Sequence, residues 1–296
     1  MNITYRRTRR ADLDACANLI KYTYNDLRKR VGMERVRFPQ GHPNSFEHYL
    51  KTDPKYAYCA YHGDKMVGFT QAINRGKHWF LAFLFIHPKY QDKKVGKELL
   101  GKVWRDEPGV IHSLATFSYN PQAIGIYSRF GLAPIVGMAR FELPPKKLTI
   151  PAIAGVSTRF YQGAADQRFI DQLEPSLRGF TRKQDWKQFF GQKKYHQLIF
   201  TKGGKRVGYG IISDTGLIGP VGAVSSAMLL EVLKGLLQYA ATLGVKNLIV
   251  HLPAANIKSY QLLLGAGFRI TEIVVFMSDH HYLDLQRYVP ATLSMV

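Results

Sequence analysis

Residues 86–97 read Ile-His-Pro-Lys-Tyr-Gln-Asp-Lys-Lys-Val-Gly-Lys, which gathers Lys89, Lys93, Lys94 and Lys97 around Gly96. The stretch follows an apolar run, and Val95, Leu99, Leu100 and Val103 then recur at helical spacing. A strand-to-helix turn aims unpaired backbone N–H groups and the positive end of a helix dipole at one point, so its natural ligand is an anion. Gly96 lets backbone come close to a ligand, and ammonium groups suit phosphates. Neither G-x-x-x-x-G-K-[ST] nor G-x-G-x-x-G follows a strand here, which removes the common nucleotide motifs. A solvated basic helix start has the same composition, so this turn needs a second signal.

The elements that must position the turn occur twice. "YAYCAYHGDKMVGFTQAI", from Tyr56, alternates around Gly63-Asp64, and "YHQLIFTKGGKRVGYGIIS", from Tyr195, does so around Gly203-Gly204. Each predicts a β-hairpin. "NPQAIGIYSRFGLAPI" (120–135) and "NIKSYQLLLGAGFRI" (256–270) also correspond, sharing an Asn and a Gly-apolar end. The chain therefore reads as a tandem repeat joined near "LPPKKLTIPA", where Pro144, Pro145 and Pro151 stop regular structure. The pattern in each half predicts helix, helix, hairpin, strand, helix, strand, helix and final strands. "HWFLAFLFI" (78–86) is too apolar to alternate and predicts a central strand covered on both faces. Asp12 is the expected N-cap of the first helix, and Gly131 the expected stop of the helix beginning near Pro121. Alternating strands and helices predict an α/β layer fold with a mixed sheet.

At 296 residues, 46% apolar and 21% charged, the chain fits about two ordinary globular domains. No apolar stretch approaches the roughly 20 residues of a membrane span, so no membrane partner is expected. Cys16 and Cys59 are too few for a disulfide framework or metal cluster, which makes a cytoplasmic location and no metal the expectation. The formal charge of +20 raises the question of a polyanion. It is spread, with 25 Lys+Arg against 12 Asp+Glu in residues 1–150 and 16 against 9 in 151–296. There is no aromatic-basic interleaving of the single-strand-binding kind, so a nucleic acid is not the favoured partner.

Taken together, Gln91-x-x-Lys94-x-Gly96 after a strand and Asn120-x-x-Ala123-x-x-x-Tyr127-x-x-x-Gly131 farther on resemble the GNAT N-acetyltransferase superfamily. The family's acyl-CoA signature is Gln/Arg-x-x-Gly-x-Gly/Ala after its fourth strand. The resemblance covers the first half, including the hairpin glycine of Met66-Val67-Gly68 and the opening "YRRTRRADLDA". It implies an α/β (α+β) fold class: two tandem GNAT-like domains, each a mixed, largely antiparallel central sheet flanked by helices. The expected boundaries are 1–145 for an acyl-CoA-binding, catalytic domain, 146–154 for a linker and 155–296 for a degenerate second domain.

The implied reaction moves an acetyl group from acetyl-CoA, the cosubstrate, to an amine on a small molecule or peptide. By the resemblance, the backbone of Leu84, Phe85 and Ile86 holds the pantetheine arm and polarises the thioester carbonyl. Loop amides of Gln91, Asp92, Lys93, Lys94, Val95, Gly96 and Lys97 take the pyrophosphate. Asn120, with Ala123 completing its motif, positions the pantetheine or a water, and Tyr127 protonates the departing thiolate. Two residues depart from the pattern. Lys94 replaces the first glycine, costing about 1 kcal/mol if positive φ is required there, and Asp92 puts an acid beside the expected pyrophosphate. No carboxylate lies on the central strand, leaving His78, His112 and Glu34 as candidate bases.

In the second half "IGPVGAVSSAMLLEVLKGLL" (218–237) stands at the loop-and-helix position without Gln/Arg or lysines before the helix. Gly219, Gly222, Ser225 and Ser226 could still nest a phosphate. Leu263 stands in place of Tyr127. Two alternatives remain at this level: a noncatalytic acyl-CoA-binding or structural tandem repeat, and an RNA-associated acyltransferase using aminoacyl-tRNA. The sequence names neither the acceptor amine nor the oligomeric state.

Overall fold

The computed structural model describes residues 2–143, 148–150, 152–153, 155–189 and 194–293. The expected join at Pro144, Pro145 and Pro151 lies outside the described residues. In the first half the elements are β1 (Thr4–Arg7), α1 (Leu13–Arg30), α2 (Asn44–Thr52), β2 (Ala57–His62), β3 (Lys65–Arg75) and β4 (His78–Ile86). They are followed by α3 (Val95–Val103), β5 (Ile111–Phe117), α4 (Pro121–Ser128) and β6 (Ala133–Leu143). The second half repeats this order. It runs β7 (Ser157–Phe160), α5 (Ala164–Arg178), α6 (Lys183–Phe189), β8 (Tyr195–Lys202), β9 (Lys205–Ser213) and β10 (Leu217–Ala223). Then come α7 (Ser226–Thr242), β11 (Leu248–Pro253), α8 (Ile257–Gly265), β12 (Arg269–Ser278) and a short β13 (Tyr288–Val289). Both halves thus open on a strand that the pattern did not suggest. β1 and β7 are four-residue edge strands whose arginines hide any alternation.

Packing divides the chain into one unit of residues 1–114 with 119–126 and another of 115–118 with 127–296. In the first, β1, β2, β3 and β4 pair antiparallel in that order, and β5 joins β4 in parallel. Only that parallel step needs a crossover, which α3 supplies. Leu13, Cys16 and Ala17 of α1 and Phe46 of α2 pack with Cys59 and Phe69, while Val95 and Leu99 of α3 pack with Ala60 and Val67. Helices thus cover both faces, as the apolar β4 requires.

The repeated Val-Gly pair has a packing cause. A Cβ on Gly68 would lie 2.7 Å from Leu99 Cδ1, and one on Gly208 would lie 2.6 Å from Val232 Cγ2. In each half a strand glycine lets a helix side chain sit directly on the sheet. A second duplicated device replaces an expected cap. Asp12 does not cap α1 through its side chain; it accepts from Arg6 at 2.7 Å on both oxygens, from Arg9 N at 2.7 Å and from the Tyr61 hydroxyl at 2.8 Å. Asp166 likewise accepts from Arg159, Arg206 and Gln162 N. The charged clamp joins the opening strand to the first helix, a more favourable use of a nearly buried carboxylate than an exposed cap.

In the second unit the strand order is β12-β6-β11-β10-β9-β8-β7, with β13 on β10. Only β10 and β11 run parallel among its paired strands. β6 belongs to the first half by sequence, yet β11 borders one edge and β12 the other. Packing therefore separates the chain elsewhere than the 146–154 sequence boundary, which remains a proposal about the repeats. α7 lies on β9, where Leu236 fits against Gly210. No helix among the described residues is long and apolar enough to cross a membrane.

Candidate active site

β4 is paired along its length by β3 but by β5 only from His78 to Leu81. At Ala82 a bulge puts an extra residue in β4, since Gln71 opposes Phe83 and Ala72 opposes Leu81. A bulge bends its strand and disrupts the ladder. From there Phe83, Leu84, Phe85 and Ile86 are half-buried, and the edge that faced β5 carries no further strand pairing among the described residues. Backbone groups on such an edge are the acceptors and donors an extended ligand arm needs.

The chain then turns through His87 and a 3-10 turn, Pro88–Tyr90, before α3. Gln91 folds back so that its Nε2 donates to Ile86 O at 3.1 Å, tying the turn to the end of β4. Lys93 places Nζ 5.4 Å from the centre of the Tyr90 ring. Asp92 and Lys94 both have left-handed backbone, with φ of 60° and 63°. The position where the family pattern has glycine therefore does use positive φ, and Lys94 pays for it by about 1 kcal/mol. This geometry turns successive amides toward one side. The first bond of α3 runs from Glu98 N to Lys94 O at 3.0 Å, so the amides of Val95, Gly96 and Lys97 belong to the donor-rich first turn. A Cβ on Gly96 would meet nothing closer than Ile86 Cγ1 at 3.5 Å. The protein's own packing does not demand that glycine.

Asp92 has its own partner. Its Oδ1 accepts from Gln122 Nε2 at 2.8 Å, drawing the carboxylate to the start of α4. Gln122 falls on an unspecified position of the second motif, so the sequence alone does not mark it. Asn120 caps α4, its Oδ1 accepting from Ala123 N at 3.2 Å, so the Nδ2 donors are outside this cap. Ala123 and Tyr127, four residues apart, share one face of α4. Tyr127 is 8% exposed, and burial pushes its phenol above the ordinary value. Such a phenol is protonated at neutral pH.

Two of the candidate bases, His78 and His112, lie away from this turn. His78 begins β4, about 26 Å of extended strand from Ile86, and its Nε2 lies 2.7 Å from Ser113 Oγ. His112 opposes Trp79 in β5, stacks on Trp104 with centroids 4.2 Å apart and has Nε2 2.8 Å from Arg105 O. Both are packed into the far end of the sheet. Glu34 is exposed in the loop after α1, a loop strapped back along that helix by Arg28, Asn25 and Lys21. At the near end, His87 stacks on Tyr22 with centroids 5.0 Å apart, and its Nδ1 accepts from Lys89 N. Burial, with Lys65 and Lys89 adding to it, lowers its pKa.

A bulged central strand, an amide-lined turn into a helix and an Asn-capped helix after the next strand are the architecture of a GNAT fold. Residues 22–132 match the model of the acetyltransferase (GNAT) family, so the segment that carries β4, the turn and α4 is a GNAT domain. That family moves acyl groups from acyl-CoA to amines, which is the coarse activity the match supports. The whole chain has the tandem fold. A candidate acetyltransferase from Pyrococcus horikoshii is 18% identical, with a TM-score of 0.76 over 99% of this chain and 96% of that one. A GCN5-related N-acetyltransferase from Sphaerobacter thermophilus is 16% identical, with a TM-score of 0.67 over 96% and 98%. A tandem GNAT protein from the clavulanic acid biosynthesis pathway is 15% identical, with a TM-score of 0.59 over 94% and 98%. No curated protein matches the sequence.

Proposed function

We propose that the first repeat binds acetyl-CoA and transfers its acetyl group to an amine by direct attack. The observation that carries this reading is the continuity between the unpaired edge of β4 after Ala82 and the first-turn amides of α3. A pantetheine arm on the backbone of Leu84–Ile86 would lead the pyrophosphate to Asp92–Lys97, with Lys89, Lys93, Lys94 and Lys97 balancing its charge. Bound there, acetyl-CoA supplies a thioester carbonyl. The amine nitrogen forms a bond to that carbon, and the C–S bond then breaks. The ammonium nitrogen of the tetrahedral adduct gives its proton to water or a base, the departing thiolate takes the proton of the Tyr127 hydroxyl, and solvent returns a proton to Tyr127. Asn120 orients the arm from the start of α4.

The same reading makes the reaction independent of metal and leaves the acceptor a small molecule or a peptide. Arg28, Lys29, Arg30, Arg35 and Arg37 around the α1–α2 loop repel a polyamine and favour an acceptor that carries negative charge. The chain's location is proposed to be the cytoplasm, on its two unpaired cysteines.

The test is calorimetric titration of acetyl-CoA into the wild type and a Gly96→Glu variant, followed by release of free thiol with a panel of amines. Gly96 has room for a Cβ, so the variant places a carboxylate at the turn with little effect on folding. Binding that the variant loses supports the reading, and no binding by the wild type removes it. Binding without thiol release from any amine would favour the noncatalytic alternative, consistent with the missing strand carboxylate.

A further inference from the structure

The second repeat reproduces the bulged strand of the first and then departs from it. β10 pairs in parallel with β11 only at Leu217 and Ile218, and an extra residue between Ile218 and Val221 bulges it against β9. Gly68 opposes Ile86 in the first repeat and Gly208 opposes Ala223 in the second, so Val221 and Gly222 correspond to Leu84 and Phe85. The edge of β10 beyond that bulge is occupied. Val221 opposes Val289 and Gly222 opposes Tyr288 in an antiparallel pair, and Ala223 N donates to Arg287 O at 3.0 Å.

Further partners of this segment come from the repeat's remaining site positions. Asn256, the counterpart of Asn120, caps α8 through Oδ1 and donates from Nδ2 to Gln286 O at 2.9 Å. A Cβ on Gly219, at φ of 139°, would lie 2.4 Å from Pro290 O, so that glycine lets the segment pass. Gly222 is likewise required by Tyr209 and Leu177, whose atoms a Cβ would meet at 2.5 and 2.7 Å. The turn itself is short. Only Val224 and Ser225 separate β10 from α7, and Ser225 Oγ accepts from Met228 N. Gly219, Gly222 and Ser225, at positions where the sequence left a phosphate nest open, thus serve packing and capping.

We infer that the second repeat has turned its acyl-CoA cleft into a seat for the chain's own residues 284–291, so that each chain takes one acyl-CoA. The backbone of this segment makes the contacts that the reading of the first repeat gives to pantetheine, and the inference rests on that reading for what the cleft once held. Arg287 locks the segment through Asp284, Ser176 O and Val224 O. Tyr288 and Val289 are fully buried.

Two measurements on the intact chain test it. Hydrogen exchange without ligand should show the amides of 287–289 and 222–223 protected about 1,000-fold or more, like the β8–β9 hairpin. Protection below about 10-fold means that the seat is open in solution and overturns the inference. Calorimetry with acetyl-CoA should give one site per chain. Two sites would overturn the inference while supporting the proposed function. No site would remove the proposed function and with it the acyl-CoA half of the inference, while exchange would still decide whether the seat is filled.

Discussion

Replacing Lys94 by glycine should stabilise the protein, against the usual effect of that change at a helix start. At φ of 63° and ψ of 0° any residue with a Cβ pays about 1–2 kcal/mol. Glycine escapes this but loses about 0.5–1 kcal/mol more backbone freedom on folding than alanine does. The useful comparison is therefore Lys94→Gly with Lys94→Ala, because both delete the ammonium group and only alanine keeps the clash. The glycine variant should be the more stable by about 0.5–1 kcal/mol, whereas in a helix interior it would be less stable by about 1 kcal/mol. With a urea slope of about 2 kcal/mol per molar, the midpoints should differ by about 0.3–0.5 M. Tryptophan fluorescence is the readout, since Trp79 and Trp104 pack together against the far end of the sheet with centroids 5.0 Å apart. A glycine midpoint at or below that of alanine would show that residue 94 does not hold positive φ in solution, and the account of the turn would fail with it.

Asp12→Asn should cost about 2 kcal/mol at neutral pH, since the Arg6 guanidinium and the hydrogen bonds from Arg9 N and Tyr61 hold the carboxyl at about 2, below its unfolded value of about 3.9. A lowered carboxyl pKa stabilises above the unfolded value and ceases to do so as pH falls through the folded one. Urea midpoints of wild type and variant should thus converge between about pH 4 and pH 2. Tyr127→Phe should lower kcat by about 100-fold while leaving acetyl-CoA affinity within about twofold, as separate turnover and calorimetric measurements would show. An unchanged kcat would take the proton donor away from Tyr127. Gly68→Val should destabilise by about 1–3 kcal/mol through the close Leu99 methyl, and pairing it with Leu99→Ala should recover part of that loss in thermal melts.

Much of this architecture was readable because repetition and turn chemistry leave marks in sequence. The two hairpins announced themselves through Gly63-Asp64 and Gly203-Gly204, and α3 through its spacing. The bulge at Ala82 left none, because a strand buried on both faces has no polar residue to reveal a slipped register. Asp12 does stand at the N-cap position of α1, but its carboxylate is used elsewhere. A carboxylate ahead of a helix looks like a cap, and only folding brings Tyr61 from the hairpin and turns Arg6 toward it. The positions of the turn were legible as a motif, while the anchor of Asp92 to Gln122 depends on the turn meeting the first turn of α4 in space. His78 and His112 have the chemistry of a base, and strand direction places both at the end of the sheet opposite the α3 turn.

β6 has a consequence for how this protein is made. Its eleven residues end at Leu143, but its edges are covered by strands that begin at Leu248 and Arg269. During translation the first repeat must therefore wait, with its last strand bare on two sides, until most of the second has left the ribosome. A fragment ending between the repeats would leave both edges of β6 bare, and a bare strand edge invites pairing with other chains.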